Sequence, residues 1–496
     1  MSNPINDNFV DSIQLSGASV STTGTNVGAT GEVGEPSQSG STDSVWWSWT
    51  APSSGLFTIN TNGSNYDTYL SVFTGNAVNS LTTVAQNDDG GIGLDSQVLL
   101  NATAGEIYHI AIDGFSSNEG LIDLNINAVQ PPANDNFADR IRVVGAAVAV
   151  EGTNEYATEE TGEPGQSGEL NSSWWTWRAP ADGVVTIDTN GSNYDTYLSA
   201  FTGNAVDGLT TVAQNDDGGI GLQSQLSFAV EAGQTYQIAV DGFSSSQGAI
   251  DLNINLPLNY TEVGTSASEQ LNGTGANDVI AGLGGNDQIN GNGGHDYLEG
   301  NGGNDTIAGG SLSDYIDGGA GNDLLYGNGG GDEILGRGGN DGLYGSSATD
   351  YLDGGNGDDT LYGNGGRDTL IGGRGDDLIY GGSCPDYILG GQGDDIIYAN
   401  GANNGADYID SGVGQDTIWL GHGDADVVLS QGVGFDVINN FQLGQTSLIV
   451  SDVSALSFAD GANGAQIYQG SDLLATVSWQ SASTFADNAN DIFVAA

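Results

Sequence analysis

Fourteen aspartates recur at intervals of nine residues: Asp278, Asp287, Asp296, Asp305, Asp314, Asp323, Asp332, Asp341, Asp350, Asp359, Asp368, Asp377, Asp386 and Asp395. Each stands in a nest of glycines, as in GNGGRDTLIGGRGDDLIYGG at 363–382. A carboxylate can accept hydrogen bonds, work in acid–base catalysis or ligate a hard cation. Spacing decides among these roles. Like charges at fixed intervals repel, and glycine runs cost conformational entropy. A chain that keeps both needs a positive partner, and it has no lysine and only six arginines against 64 acidic residues. Metal cations are the natural counter-charge.

Two positions after every one of these aspartates stands Ile or Leu, from Ile280 to Ile397. The unit G-G-x-G-x-D-x-U-x, repeated from Gly273 to Tyr398 without an indel, resembles the RTX, or haemolysin-type, nonapeptide. That resemblance implies a parallel β-roll that binds several calcium ions. The first six residues of a unit turn, and the last three form a strand whose U side chain points inward. Two units complete a turn of the roll, so residues 18 apart are stacked neighbours about 4.8 Å apart. Two carboxylates at that distance repel by roughly 3 kcal/mol at an effective dielectric near 20. Calcium takes six to eight oxygens from carboxylates and carbonyls, and glycine lets the backbone turn its carbonyls toward an ion.

The two edges of such a roll are expected to differ. Asp287, Asp305, Asp323, Asp341, Asp359, Asp377 and Asp395 fall on one edge, each with Gly at the first and fourth positions of its unit. Opposite, the fourth position reads Ala276, Gly294, Leu312, Gly330, Ala348, Gly366, Cys384. A side chain forced to positive φ costs about 1 kcal/mol or more. Strong sites are therefore expected on the intact edge, and weak or absent ones beside Asp278, Asp296, Asp314, Asp332, Asp350, Asp368 and Asp386. Equal binding by both edges is the competing expectation, since every aspartate persists.

Tyr326, Tyr344, Tyr362, Tyr380 and Tyr398 occupy the ninth position of five successive intact-edge units. Stacked 18 apart, they predict an aromatic ladder on one outer sheet. It serves either as cross-strand packing or as a docking surface for a glycan, a partner or another copy.

The first half of the chain is a tandem duplication. NDNF at 6–9 and 134–137, WW at 46–47 and 174–175, and NGSNYDTYLS at 62–71 and 190–199 all share an offset of 128 residues. Short alternating runs between Gly, Asn and Asp clusters predict an antiparallel β-sandwich in each copy. NDNF, GEPSQSG followed by SVWWSWTAP, and YDTYLSVFTG with its NDD loop resemble the pre-peptidase C-terminal module. That resemblance implies a non-catalytic accessory domain of secreted bacterial proteins. Alternation along SVWWSWT puts Trp47 and Trp49 on one face and Trp46 on the other, and Trp175, Trp177 and Trp174 repeat this. One set predicts core; Trp46 and Trp174, if left outside, would offer a sugar-stacking platform. Asp67, Asp88 and Asp89, with Asp195, Asp216 and Asp217, read either as turn residues or as a further calcium site.

A formal charge of −58 argues against nucleic acid and anionic membranes as partners. No apolar run reaches membrane-spanning length, and none suits membrane insertion. With Cys384 alone, no intrachain disulfide forms. GxSxG, HExxH and a plausibly placed Ser/His/Asp group are missing, so the expected role is not enzymatic. The start, MSNPINDNFVDS, does not read as a cleaved leader, and the tail DNANDIFVAA looks like the uncleaved signal of type I secretion.

The expected architecture is all-β: two tandem antiparallel sandwiches at 1–128 and 129–257, a linker at 258–272, a calcium-binding parallel β-roll at 273–436, and a β-rich cap at 437–496. The expected function is that of a secreted, calcium-folded structural or adhesive protein of the bacterial surface or matrix, self-associating or binding a surface glycan. The rival readings are a secreted hydrolase with an unrecognised site and an RTX toxin.

Overall fold

The computed structural model describes residues 3–36, 44–164, 171–400, 405–432 and 434–495. Most of GEPSQSG, one stretch used for the pre-peptidase resemblance, lies outside them. The chain divides into two compact units, Met1–Asn136 with Thr153–Glu159, and Phe137–Gly152 with Glu160–Ala496. Among the described residues no helix is long and apolar enough to cross a membrane.

The first unit holds a sandwich of a five-stranded and a four-stranded sheet. In the five-stranded sheet the order is Ile13–Ser16, Val45–Thr50, Ile107–Gly114, Thr68–Thr74, Thr82–Asn87. Its pairs are antiparallel except the first, where Ile13–Ser16 runs parallel to Val45–Thr50. Trp47 and Trp49 fill the space between the sheets with Ile59, Leu70 and Leu124. The second copy repeats this plan around Trp175 and Trp177.

Trp46 and Trp174 are not the exposed platforms expected from alternation; both are fully buried. Trp46 does lie on the opposite face of its strand, but Phe9, Phe73 and Ala111 close over it in a second small core. Phe137, Phe201 and Ala239 do the same for Trp174. Alternation reports which face a side chain takes, not whether another segment covers that face.

In the second unit the nonapeptides wind into a solenoid of two parallel sheets. Leu325, Leu343 and Leu361 pair in register at steps of 18 residues, and so do Ile316, Ile334 and Leu352 in the facing sheet. Every inward residue from Ile280 to Ile397 is fully buried in one continuous core. Glu262–Val263 and Gln270–Asn272 already belong to these ladders, inside the segment expected as linker. At the far end Asp436–Asn439 pairs with Asp472–Ser478, which folds back antiparallel on Gly464–Gln469. The tail strand Phe493–Ala495 joins the other sheet beside Thr446–Val450.

The second sandwich packs on one outer face of the roll. Val279, Tyr297, Tyr315 and Leu335 share its hydrophobic core. Arg142 pairs with Glu333 and lies 4.8 Å from the ring centre of Tyr351. Arg178 donates to the carbonyls of Gly331 and Gly233. At the matching positions the first copy has Gln14 and Thr50, so these contacts belong to the second copy's own sequence.

Candidate metal centres

Each repeat aspartate closes a turn at a sheet edge, and its two carboxylate oxygens have different fates. Oδ1 of Asp341 accepts the N–H of Asp323 at 2.7 Å, and Oδ1 of Asp359 accepts that of Asp341 at 2.7 Å. The pattern runs from Asp278 to Asp395 and ties each loop to the next. Oδ2 is buried with no hydrogen-bond partner at Asp287, Asp305, Asp323, Asp341, Asp359, Asp377 and Asp395, all seven on the intact edge. An anionic oxygen buried without a partner is costly, and a row of them needs a cation.

The space beside them suits one. A Cβ added at Gly336 would stand 2.5 Å from Oδ2 of Asp341 and 2.6 Å from the carbonyl oxygen of Gly354. Carboxylate and main-chain oxygens therefore face one cradle that only a first-position glycine leaves open. Among the described residues no three His, Cys, Asp or Glu side chains gather as a metal group. A hard cation held here would draw most of its oxygens from carbonyls, which suits calcium's high and flexible coordination. The fifth-position amides lock the loops together: Asn340 N–H donates to Oδ1 of Asn322 at 3.0 Å.

The edges differ in backbone. On the intact edge the fourth-position glycines, from Gly285 at φ 105° to Gly393 at φ 133°, all take the left-handed conformation. Opposite, Gly294, Gly330 and Gly366 take it, whereas Ala276, Leu312 and Ala348 do not; Cys384 is held there at φ 100°. Three loops thus avoid the left-handed conformation at this position.

Two of the same loops also satisfy their own carboxylate. Thr274 N–H donates to Oδ2 of Asp278, and Ser346 N–H to Oδ2 of Asp350, each at 2.6 Å. At this second position Asn292, Asn328 and Asn364 have φ near 70°, a conformation that Thr274 and Ser346 do not share. Asp296, Asp314, Asp332, Asp368 and Asp386 keep the unpartnered Oδ2.

Two further aspartates continue the columns and were hidden by an irregular spacing. Asp407 accepts from the N–H of Asp386, and Asp416 from that of Asp395, each 21 residues on. Three extra residues between Asp395 and Asp407 break the period without breaking the ladder, as Tyr387 still pairs with Tyr408. The signal was the spacing of nine between 407 and 416. In the sandwiches, burial and then Asp89 and Asp88 raise the pKa of Asp67, and burial and then Asp217 and Asp216 raise that of Asp195. These six form no metal group.

Without a cation, burial first and neighbouring carboxylates of the column second push Asp359 and Asp395 from 3.8 to about 8; Asp341 is pushed to about 7. Folded-state values above the unfolded ones mean that the cation-free fold binds more protons than the unfolded chain. This contribution to its stability is complete below about pH 4 and is lost as pH rises through 7 and 8. Calcium-free protein should therefore show more β-structure at pH 5 than at pH 7.5 by circular dichroism. Equal spectra would remove charge repulsion as the obstacle to folding.

The expected ladder is present on the sheet away from the second sandwich. Tyr326, Tyr344, Tyr362, Tyr380 and Tyr398 stack with ring centroids 4.7–4.9 Å apart, all half-buried, and Trp419 adds a sixth rung at 6.2 Å.

Family comparison matches eight segments between residues 263 and 426 to the RTX calcium-binding nonapeptide repeat (4 copies). No curated protein matches the sequence. Among solved structures, the CUB1-EGF-CUB2 domains of rat MASP-1 align at 12% identity over 49% of this chain and 99% of that one, with a TM-score of 0.13. The human MASP-1/3 counterpart aligns at 12% identity over 49% and 100%, with a TM-score of 0.14. At such scores neither bears on fold or function.

Proposed function

Residues 263–426 are RTX calcium-binding nonapeptide repeats, and a roll of this kind is a structural calcium-binding motif that takes several ions; from that premise we propose that the chain is a secreted structural or adhesive protein of the bacterial surface or matrix, folded by calcium after export. The observation that carries this is the uninterrupted row of buried, unpartnered Oδ2 atoms from Asp287 to Asp395. In the low calcium of a cytosol those carboxylates oppose folding, which suits passage through a type I exporter. Outside, millimolar calcium binds only the native state and draws the chain into it. The intact-edge aspartates would hold the principal ions, with fewer opposite.

In this reading residues 1–128 and 129–257 are sandwich modules, 258–272 leads into the roll of 273–436, and 437–496 caps it. The first sandwich offers an interacting module, and the tyrosine ladder a repeated surface for self-association or multivalent attachment. Calcium is required because only the folded roll holds the rings in register.

Replacing Tyr344, Tyr362 and Tyr380 with Ser should reduce assembly or surface attachment while leaving calcium binding unchanged. Sedimentation velocity in millimolar calcium, with a cell-attachment assay beside it, separates the cases. A monomeric wild type whose attachment matches the variant's would reduce the ladder to sheet packing.

A further inference from the structure

The tyrosine ladder ends at a cavity of about 470 Å³, a volume in the usual range for small-ligand sites. Trp419 lines it together with Tyr398, Phe441, His422 and Gln442. The next residue in register beneath Trp419 is Asn439, so the aromatic column stops there and the last indole borders open space. Three amides around the cavity are held in place by the main chain. Asn400 donates to the carbonyl of Tyr398 at 3.3 Å, Asn440 to that of Leu420 at 3.1 Å, and Gln442 to that of Gly421 at 3.0 Å. Each donor used this way fixes its amide for presentation to a ligand.

Among the described residues that line it none is an Asp, Glu or Arg, although the chain carries 64 acidic residues. A cavity without carboxylates offers no hard anionic ligand to a metal ion, and one without fixed positive charge in so acidic a chain does not select an anion. An aromatic plane supplies a face for C–H groups, and amides with an imidazole at the rim supply donors and acceptors. A pyranose ring has both kinds of surface.

We propose that the cavity bounded by Trp419, Tyr398, His422 and Gln442 binds a neutral saccharide ring, stacked on the indole and hydrogen-bonded by the amides. This deepens the adhesive reading by naming a ligand class, but binding itself does not depend on attachment or assembly. A saccharide could bind here even if the Tyr344, Tyr362 and Tyr380 variant behaved as wild type.

Trp419 is half-buried and Trp479 is 74% exposed, whereas the other six tryptophans are fully buried. In a Trp479→Phe background, tryptophan fluorescence therefore reports mainly on Trp419 among accessible indoles. The full chain in millimolar calcium is titrated with methyl β-D-glucopyranoside, methyl β-D-galactopyranoside, N-acetylglucosamine and, as a charged control, glucuronate. A saturable change is expected with at least one neutral sugar and not with glucuronate. Ligand-observed NMR then compares variants: Trp419→Ala should weaken binding by about tenfold or more, and Gln442→Ala, which leaves the ladder intact, should weaken it severalfold. No saturable response to any neutral sugar overturns the proposal. So does glucuronate binding as tightly, or affinity unchanged in Gln442→Ala.

Discussion

In excess chelator at neutral pH, the full chain is expected to lose most of the β-structure contributed by residues 262–495 and to regain it in millimolar calcium. Two forces act against the cation-free roll. The unpartnered Oδ2 atoms of each column must be buried, and neighbouring carboxylates repel along its length. Each ion bound only by the native state contributes about 2.7 kcal/mol at a hundredfold excess over its dissociation constant. Several such ions together exceed the few kcal/mol by which domains are ordinarily stable. The first sandwich has its own tryptophan-centred core and should keep a separate melting transition in chelator. The second sandwich buries Tyr297 and Tyr315 of the roll, so its transition should move with calcium. Circular dichroism and calorimetry across a calcium titration measure both effects. A full β-signal in chelator at pH 7.5 would show that the columns are not held by ions.

The next largest effect is expected from paired substitutions on the two edges. Asp341→Asn removes charge from a carboxylate in the middle of the intact column whose Oδ2 is unpartnered and faces the cradle at Gly336. The number of bound calcium ions should fall by one or two, and the calcium needed for half-folding should rise severalfold. At a hundredfold excess of calcium, each lost ion removes about 2.7 kcal/mol. Asp350→Asn changes a carboxylate whose Oδ2 already accepts the N–H of Ser346 and whose loop lacks the left-handed fourth residue. The remaining oxygen of Asn can still accept a hydrogen bond, so the calcium count should stay constant even if the melting temperature drops slightly. Calorimetric titration of both variants decides between unequal and equal edges. Equal losses of bound ion would mean that Ser346 and Ala348 leave the opposite loop as competent as the intact one.

Both predictions depend on details that differ in how far the amino-acid sequence determines them. A nine-residue period with Ile or Leu two places after each Asp carries the resemblance to the RTX repeat, and that resemblance implies a two-sheet parallel roll. Strand side chains alternate, and a strict repeat brings equivalent residues together at every turn. The inner Ile/Leu column, the stacked aspartates and the tyrosine ladder follow from that local rule, and all are found at the expected steps of 18. The 128-residue duplication likewise requires two equivalent sandwiches.

Features that rest on contacts between distant segments were decided only by the tertiary structure. Phe9 and Phe137 reach across to cover Trp46 and Trp174, so a face that alternation leaves open is closed. Arg142 and Arg178 dock the second sandwich on the roll, although in one dimension they are only two basic residues among six. Asp407 and Asp416 rejoin the columns because the sheet keeps its register across three extra residues of sequence. Thr274 and Ser346 turn their own N–H groups onto the carboxylates because they do not adopt the left-handed φ that Asn292 and Asn328 take. A period specifies which residues recur at each turn; which groups then satisfy, cover or charge one another depends on where separate turns and domains come to rest.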